Sequence, residues 1–286
     1  MARIYEALET IGLRQDRAPV IKEDALLVSP PCQPQDSALG EPDVLRPEGI
    51  QRYRWELSND SLVSTARRGA GVEQFRQLRS RLSGLRDEAL LKTILVCSGL
   101  PEEGKTFVTA NLALSLSRNG DKSILLIDGD LRRPRLHELL GAPNSTGLAD
   151  YLAGNADLTQ IMQRDSSVTS VGNGIKTVTS GLTFVSSGQC GDNAAELAGN
   201  HRFEQLIKGA SPHFDWILVD ASPALVVTDA VDLARAADAV LLVARVGITR
   251  FEDAQRTQSA FGNARILGMV LNAAKGVPQG SYYYNY

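Results

Sequence analysis

A glycine-rich loop that ends in a lysine and a threonine is the most chemically specific feature of the chain. The stretch GLPEEGKT at 99–106 has the spacing G-x-x-x-x-G-K-[ST]. Gly99 and Gly104 let the backbone turn tightly, so successive N–H groups can surround phosphate oxygens at the start of a helix. In such a loop Lys105 contacts the β- and γ-phosphates, and the Thr106 hydroxyl is a ligand for Mg²⁺. The motif predicts binding of a nucleoside triphosphate.

Three aspartates follow two apolar stretches elsewhere in the chain. Asp128 and Asp130 come after SILLI, and Asp220 comes directly after WILV. If both stretches are strands of one parallel sheet, the three carboxylates share an edge with the phosphate loop. A Mg²⁺-bound triphosphate could neutralise them there, whereas without a metal they would repel and their pKa values would rise. The alternative is that each aspartate only caps the segment that follows it.

Tyrosines are concentrated at the C-terminus. The chain ends in QGSYYYNY, which holds four of its seven tyrosines: Tyr282, Tyr283, Tyr284 and Tyr286. Chain ends are usually frayed, and large aromatic side chains exposed to water are unfavourable unless they are used. The cluster therefore indicates either a functional role or a hydrophobic contact segment.

Short apolar stretches alternate with helical patterns and define the elements that must position these groups. Strands are predicted at 93–97, 123–127, 182–187, 216–219, 239–244 and 266–271. Most are continuously apolar, which is typical of strands covered by helices on both faces. The alternation predicts an α/β fold with a doubly wound, mostly parallel sheet, that of a P-loop nucleoside triphosphatase. Ligands of such sheets bind beyond the carboxyl ends of the strands.

The first part of the chain has a different character. Residues 1–16 carry Ile4, Leu8 and Ile11 at helical spacing, which predicts a short amphipathic helix. The stretch 29–49 holds five of the twelve prolines and is interpreted as a linker. We therefore divide the chain into an N-terminal helix and proline-rich linker (1–70), a P-loop domain (71–275) and a tyrosine-rich tail (276–286).

Composition excludes several other classes of protein. Hydrophobic residues make up 43% and charged residues 22% of the 286 positions, as in ordinary globular domains. No apolar run approaches the roughly 18 residues of a membrane span, and the first residues lack the apolar core of a secretory signal. The three cysteines form no disulfide framework, so the reducing cytoplasm is the expected compartment. A net charge of -3 gives no general reason to bind nucleic acid.

The first helix of the P-loop domain carries a charged face. Its predicted buried stripe consists of Phe75, Leu78, Leu82 and Leu85. At about 100° per residue, Glu73 and Arg76 lie away from this stripe and Arg79 lies on its flank. One interpretation is a solvated face with i,i+3 pairs of roughly 0.2–0.5 kcal/mol each. The other is an interface between subunits.

Together these motifs resemble those of the bacterial tyrosine kinases that regulate capsule and exopolysaccharide export. That family is related to the MinD/ParA-type P-loop ATPases and unrelated to eukaryotic protein kinases. GLPEEGKT is similar to its Walker A motif, LLIDGDLRRP to its second acidic motif and WILVDASP to its Walker B motif. EQFRQLR (73–79) fits its E-x-x-R-x-x-R motif, and SYYYNY fits its terminal tyrosine cluster. The resemblance covers about residues 71–275 and the tail.

The resemblance implies a role for each residue of the site. The expected nucleotide contacts are Gly99, Glu103, Gly104, Lys105, Thr106 and, beside adenine, Asn272. The expected ligands of Mg²⁺ are Thr106, Asp130 and Asp220. Asp128 and Lys105 are the expected catalytic residues, and Asp128 would accept the proton of the incoming tyrosine hydroxyl. Because little proton removal is needed in a loose phosphoryl-transfer transition state, we expect Asp128 to matter for orientation as well.

The resemblance also implies an assembly. Tyr282, Tyr283, Tyr284 and Tyr286 would be the phosphate acceptors. Glu73, Arg76 and Arg79 would form the interface of a closed homo-oligomeric ring in which each copy presents its tail to a neighbour. The expected partners are a transmembrane polysaccharide co-polymerase, which activates the kinase at the inner face of the plasma membrane, and a tyrosine phosphatase.

Some positions depart from the pattern of the family. Glu102 stands where members often have glycine, DASPA replaces a common Asp-Thr-Pro-Pro, and GDNAAELA lacks an expected proline and leucine. Leu100 stands where partition ATPases carry a signature lysine, which counts against that branch. Two alternatives remain: a MinD/ParA-type ATPase switch without kinase activity, and a scaffold that binds nucleotide without turnover.

Overall fold

A single nine-stranded sheet organises the computed structural model, which describes residues 3–5, 45–58, 61–66, 68–89, 91–118, 122–169, 179–189 and 194–274. In chain order its strands are β1 (Arg3–Tyr5), β2 (Gln51–Tyr53), β3 (Thr93–Ser98), β4 (Ile124–Asp128), β5 (Met162–Asp165), β6 (Leu182–Val185), β7 (Trp216–Asp220), β8 (Ala239–Arg245) and β9 (Ile266–Asn272). Their order across the sheet is β1-β9-β8-β3-β7-β4-β6-β5-β2. The strands from β9 to β6 are parallel, β5 is antiparallel to β6, and β1 is antiparallel to β9. The predicted mostly parallel α/β fold is confirmed.

Helices cover both faces of this sheet. They are α1 (Ala70–Ala89), α2 (Lys105–Ser117), α3 (Leu136–Leu140), α4 (Leu148–Leu152), α5 (Ala194–Ala198), α6 (Arg202–Ala210), α7 (Asp229–Ala234) and α8 (Phe251–Ala260). Short 3₁₀ helices lie at Pro47–Gly49, Val63–Thr65, Ser166–Thr169 and Ser211–His213. None of the helices in the described ranges combines the length and the apolar character needed to cross a bilayer.

Alternate residues of each central strand enter two separate cores. In β7, Trp216 and Leu218 pack on the side that holds α1 and α2, and Ile217 and Val219 pack on the side that holds α6 and α7. All residues of β3, β4 and β7 are buried. Continuous burial explains why these strands are apolar throughout instead of alternating.

The sequence predicted six of these strands to within a few residues and missed the other three. The missed strands β2 and β5 are only three and four residues long and contain arginine, glutamine and aspartate. Strand β2 lies at the edge of the sheet, whereas β5 lies between β6 and β2 and buries the polar residues Gln163 and Asp165. Neither strand therefore has an apolar period of its own that the sequence could reveal.

The amphipathic helix predicted for residues 1–16 is wrong over the part that the structure describes. Arg3–Tyr5 form β1, which pairs with β9 so that Ile4 lies opposite Val270. The free edge of β9 supplies backbone hydrogen-bond partners, and β-branched and aromatic residues suit a strand. Helical spacing is a weaker constraint than this tertiary pairing. Residues 6–16 lie outside the described residues.

The packed domain begins before the predicted boundary at residue 71. Leu45, Ile50 and Trp55 are buried, and β2 extends the sheet. The Trp55 and Phe184 rings meet edge to face with centroids 6.2 Å apart. Leu45, near the end of the proline-rich stretch, and Ile50 and Trp55, which follow it, are anchored in the two cores. The chain from residue 45 onward is therefore part of the domain and not linker. The tail, predicted at 276–286, lies outside the described residues.

Helix α1 has the predicted buried stripe. Phe75, Leu78 and Leu82 are each 2% exposed, and Leu85 is half-buried. The ring of Phe75 packs against that of Phe107 at the start of α2. The stripe fixes α1 against α2, so the opposite face of α1 is turned to solvent.

Candidate nucleotide-binding and catalytic site

The loop between β3 and α2 has the conformation that the glycine-lysine-threonine motif predicts. Strand β3 ends at Ser98 and helix α2 begins at Lys105. Gly104, at the N-cap of α2, has φ +93°, and a Cβ atom there would collide with Nδ2 of Asn272. Glycine is required at 104 for both its backbone conformation and this close approach.

Glu102, where the family often has glycine, has a positive φ of 62°. A side chain in this left-handed conformation costs about 1–2 kcal/mol relative to glycine. Nη1 of Arg245 donates a hydrogen bond of 3.0 Å to the Glu102 carbonyl, which helps hold the loop. Glu102 therefore adopts a backbone conformation that suits glycine, and it does so at an energetic cost.

The side chain of Glu103 braces the loop from inside. It is 1% exposed, and its Oε2 accepts a 2.8 Å hydrogen bond from the backbone N–H of Leu100. Its Oε1 accepts a hydrogen bond from the hydroxyl of Thr249. Because both carboxylate oxygens are engaged within the protein, only the backbone of Glu103 is available for phosphate.

Asn272 lies against the same loop. Its Nδ2 donates 3.0 Å to the Glu103 carbonyl, and its Oδ1 accepts 2.8 Å from the backbone N–H of Ala273. The structure thus places Asn272 beside the phosphate loop, at the end of β9. Its predicted contact with adenine stays a prediction.

Lys105 lies among the predicted carboxylates. Its Nζ is 2.7 Å from Oδ2 of Asp130 and 3.9 Å from Oδ2 of Asp220. Burial by itself would lower the pKa of Lys105, but the neighbouring carboxylates of Asp220 and Asp130 raise it above its usual value. Lys105 is therefore a permanent positive charge at the strand ends.

Asp220 is fully buried at the end of β7 and is held by two threonines of α2. The Thr106 hydroxyl donates to its Oδ2 over 2.7 Å, and Oγ1 of Thr109 lies 3.2 Å from its Oδ1. Burial raises the pKa of Asp220, although Lys105 and Thr106 act in the opposite direction. Thr109 was not predicted from the sequence as a residue of the site. Its position three residues after Thr106, on the same helix face, could have indicated it.

Asp128 has the least satisfied carboxylate of the site. It is fully buried, and its Oδ2 accepts 3.0 Å from the backbone N–H of Leu136 at the start of α3. Its Oδ1 has no hydrogen-bond partner among the described residues. Burial, then the charge of Asp220, raises the pKa of Asp128 well above its usual value. Capping of α3 therefore accounts for the hydrogen bond of Oδ2 but leaves Oδ1 of Asp128 without a role in the described structure.

Asp130 is more fully engaged. Besides Lys105, it accepts 3.0 Å hydrogen bonds at Oδ1 from the hydroxyl of Ser222 and from the backbone N–H of Arg133. Ser222, in the DASPA segment, is a second residue of the site that was missed from the sequence. The neighbouring Arg132 forms a two-point ion pair with buried Asp229, with Nε 2.7 Å from Oδ2. Arg132 is thus tied to α7.

The oxygens present suit Mg²⁺ bound together with phosphates. Within the described ranges, no group of three or more His, Cys, Asp or Glu side chains is arranged to hold a metal ion. Mg²⁺ in phosphoryl-transfer sites is held by one or two carboxylates with substrate oxygens, so a full protein cage is not required. Thr106 and Asp220 supply adjacent hard oxygens, and both Asp130 and Asp220 lie within 4 Å of Nζ of Lys105. The residues fit such an ion.

The predicted interface residues lie apart from the site. Glu73 and Arg76 form an exposed i,i+3 ion pair with an N–O distance of 3.2 Å. Arg79 instead donates 2.6 Å to the Ser115 carbonyl, near the end of α2 farthest from the phosphate loop. All three charges are therefore engaged within their own subunit, but only Arg79 is tied to another helix. The terminal tyrosines lie outside the described residues.

A parallel sheet with a phosphate loop after its first central strand, and aspartates at the ends of two neighbouring strands, defines a P-loop nucleotide-binding protein.

The chain superposes on the kinase domain of Escherichia coli tyrosine kinase ETK with a TM-score of 0.68 and 30% identity, covering 82% of this chain and 88% of that one. It is 32% identical over 242 residues to tyrosine-protein kinase wzc of Salmonella typhimurium, and 33% identical over 221 residues to tyrosine-protein kinase etk of Escherichia coli K12. These matches cover 82% and 76% of this chain but only 31% and 28% of the relatives, so the chain spans less than a third of their length. No family model matches the chain.

The chain belongs to the family of bacterial tyrosine kinases, and its fold is that of their kinase domain. The resemblance drawn from its motifs is thereby confirmed.

Proposed function

We propose that this chain is an ATP-dependent protein-tyrosine autokinase whose acceptors are Tyr282, Tyr283, Tyr284 and Tyr286. The observation that carries the proposal is the convergence of Lys105, Thr106 and the three aspartates at one edge of the sheet, in a chain of this family. A lysine that merely followed a chance glycine turn would not have two buried carboxylates within 4 Å.

The proposed reaction transfers the γ-phosphoryl group of ATP to a tyrosine hydroxyl. A bond forms between the phenolic oxygen and the γ-phosphorus, the bond from that phosphorus to the β,γ-bridging oxygen breaks, and ADP leaves. Asp128 accepts the phenolic proton, and its Oδ1 is the oxygen without a protein partner among the described residues. Lys105 and the N–H groups of the loop hold the phosphates and offset their negative charge.

Mg²⁺ would be held by Thr106, Asp220 and Asp130 together with phosphate oxygens, and it would supply neutralisation of the charge on the β- and γ-phosphates. The residues of this chain align the nucleotide with the acceptor. Lys105 is paired with Asp130 over 2.7 Å, and a bound phosphate would offer Lys105 a further negatively charged partner.

Replacement of Lys105 tests the proposal directly. With Mg·ATP we expect phosphotyrosine on the wild type and none on Lys105→Met. The matched control is Lys208→Met, since the Lys208 side chain is 80% exposed on α6 and should not matter. Equal phosphotyrosine on both variants would contradict the assignment.

The acceptor sites need a separate measurement. Intact mass after incubation with Mg·ATP should show added phosphates that disappear when residues 281–286 are deleted. ATP consumption by the intact chain without any protein labelling would instead support a MinD/ParA-type ATPase switch. Neither consumption nor labelling would support a nucleotide-binding scaffold.

We further propose that the kinase acts as a closed ring, with Glu73 and Arg76 at the contact between copies. Both are exposed on the face of α1 turned away from the core. Each phosphorylated tyrosine adds roughly -1.5 to -2 charges, so modified tails should repel one another and the acidic site. Light scattering should show that Arg76→Glu dissociates the ring. Lys208→Glu, which changes a similar exposed helix pair on α6, should leave the ring intact.

The biological role that we propose is regulation of exopolysaccharide or capsule synthesis and export. It would involve a membrane-embedded polysaccharide co-polymerase that recruits and activates the kinase, and a phosphatase that removes the phosphate. Addition of the cytoplasmic end of such a partner should increase the rate of tail phosphorylation. An unchanged rate with a partner that binds would contradict activation.

A further inference from the structure

An apolar groove opens at one edge of the sheet, between α8 and the last two strands. Its volume is about 330 Å³. The apolar side chains of its wall include Leu242, Val246, Phe251, Ala254, Met269 and Leu271. Phe251 is 65% exposed and Val246 is 46% exposed. Exposed apolar surface of this kind marks a binding surface more often than a free one.

The elements around the groove are less covered than the central strands of the sheet. Thr257 is the one buried residue within α8, although this helix has ten residues. In β9 only Gly268 and Val270 are buried, whereas every residue of β3 is buried. One more apolar layer would cover this edge as the helices cover the central strands.

The N-terminal strand brings the chain to the groove. Arg3 lies opposite Leu271 and Tyr5 lies opposite Met269, and both partners line the groove. Neighbouring strands are about 4.8 Å apart. The chain therefore leaves Tyr5 at the rim of the groove, and the three residues up to Leu8 can span at most roughly 10 Å.

We propose that residues 6–13 of this chain dock in the groove and bury Leu8 and Ile11 there. The segment EALETIGL carries these two apolar residues three apart, so they can share one side of a helical turn. It also carries Glu6 and Glu9, and the groove is lined by the cations Arg245 and Arg250. The spacing of its apolar residues, its negative charge and its position directly after β1 all favour this segment as the occupant of the groove.

Chemical labelling of the intact chain tests the docking. Gln258 lines the groove and is half-buried, so Gln258→Cys reports access to it once Cys32 and Cys190 are changed to serine. Cys97 is buried and should not react. Maleimide labelling should accelerate on the order of tenfold in Leu8→Asp/Ile11→Asp, because a docked segment exposes its site only during local opening. The matched control Thr10→Asp should label at the original rate.

Several outcomes would overturn the proposal. Equal labelling rates in the double variant and in Thr10→Asp would show that residues 6–13 do not cover the groove. If slow labelling at position 258 is lost on dilution, and light scattering shows a change in mass, the groove is covered by a second copy of the chain. Protection that requires phospholipid vesicles would assign it to a membrane surface. Unchanged thermal unfolding of each variant excludes a general loss of fold. Docking of residues 6–13 does not require kinase activity, so a failure of docking and a failure of the proposed function can be told apart.

Discussion

Among the individual residues, Asp128 has the most unusual environment. Its carboxyl is fully buried, one oxygen has no partner among the described residues, and burial raises its pKa. A group of this kind is suited to take a proton from a phenol, because its basicity is greater than that of a solvated carboxylate.

We expect Asp128→Asn to remove a pH-dependent loss of stability. A carboxyl whose pKa is raised by folding holds its proton more tightly in the folded state. The wild type therefore loses stability as pH rises from the unfolded pKa, about 3.9, to the folded pKa. Asparagine does not ionise, so the stability of the variant relative to the wild type should increase with pH, by about 1.4 kcal/mol for each unit by which the pKa is raised.

Urea unfolding of both proteins at pH 5 and pH 8, without nucleotide, measures this difference. A relative stability that is the same at both pH values would contradict a raised pKa. The variant should also form less phosphotyrosine under Mg·ATP, because the proposed proton acceptor is lost.

Glu102 carries a backbone strain that a glycine would remove. We expect Glu102→Gly to be more stable than the wild type by up to about 1 kcal/mol, which corresponds to a Tm increase of roughly 2–4 °C for a domain of this size. Glu102→Ala is the control, because it also removes the charge but keeps a Cβ at φ 62°. If alanine stabilised as much as glycine, the strain would not be the cause.

Among the elements, the phosphate loop and the β8–α8 connection are joined by two direct contacts. The Thr249 hydroxyl donates to Glu103 and accepts 2.8 Å from the backbone N–H of Arg245, and the Arg245 side chain donates to the Glu102 carbonyl. Thr249 and Arg245 also line the apolar groove. An occupant of the groove would therefore touch residues that hold the phosphate loop directly.

We expect Thr249→Val to loosen the loop. Valine has a similar shape but no hydroxyl, so the buried Glu103 carboxylate loses a hydrogen bond, at a cost of about 1–3 kcal/mol in stability. Calorimetric titration should show weaker ATP binding, because the loop is held less firmly. Thr249→Ser keeps the hydroxyl and should behave like the wild type. Equal ATP affinity in the valine and serine variants would show that this contact does not support the nucleotide site.

At the scale of the whole molecule, the domain depends on residues that precede its first long helix. Leu45, Ile50, Trp55 and Leu62 are all buried, and they contribute to cores on both faces of the sheet. Burial of each such side chain is worth about 1.5–3 kcal/mol. Their sum is comparable to the roughly 5–15 kcal/mol that separates a typical folded domain from its unfolded chain.

We therefore expect a chain that starts at residue 45 to fold, and a chain that starts at residue 71 to lose cooperative unfolding. Thermal unfolding followed by circular dichroism, with the two truncations compared at equal concentration, measures this. A cooperative transition of similar midpoint in the shorter chain would show that residues 45–70 are dispensable.

The amino-acid sequence by itself determined the elements that have a local signature. The phosphate loop, the aspartates at the ends of β4 and β7 and the buried stripe of α1 were predictable, and so were the six apolar strands. Apolar period and glycine spacing act within a few residues, so they can be read from the sequence. These features were sufficient to predict the fold and the position of the site at the carboxyl edge of the sheet.

Only the tertiary structure decided which of those residues touch. Strand β1 pairs with β9, and Trp55 is anchored in the core. The Arg79 side chain donates to the Ser115 carbonyl, and Thr249 braces the phosphate loop. Each of these contacts joins residues that are far apart in sequence. Such contacts depend on the shape and the free edges of the assembled sheet. A short polar strand or a single hydroxyl has no periodic signal, so its role appears only when the rest of the chain has folded around it.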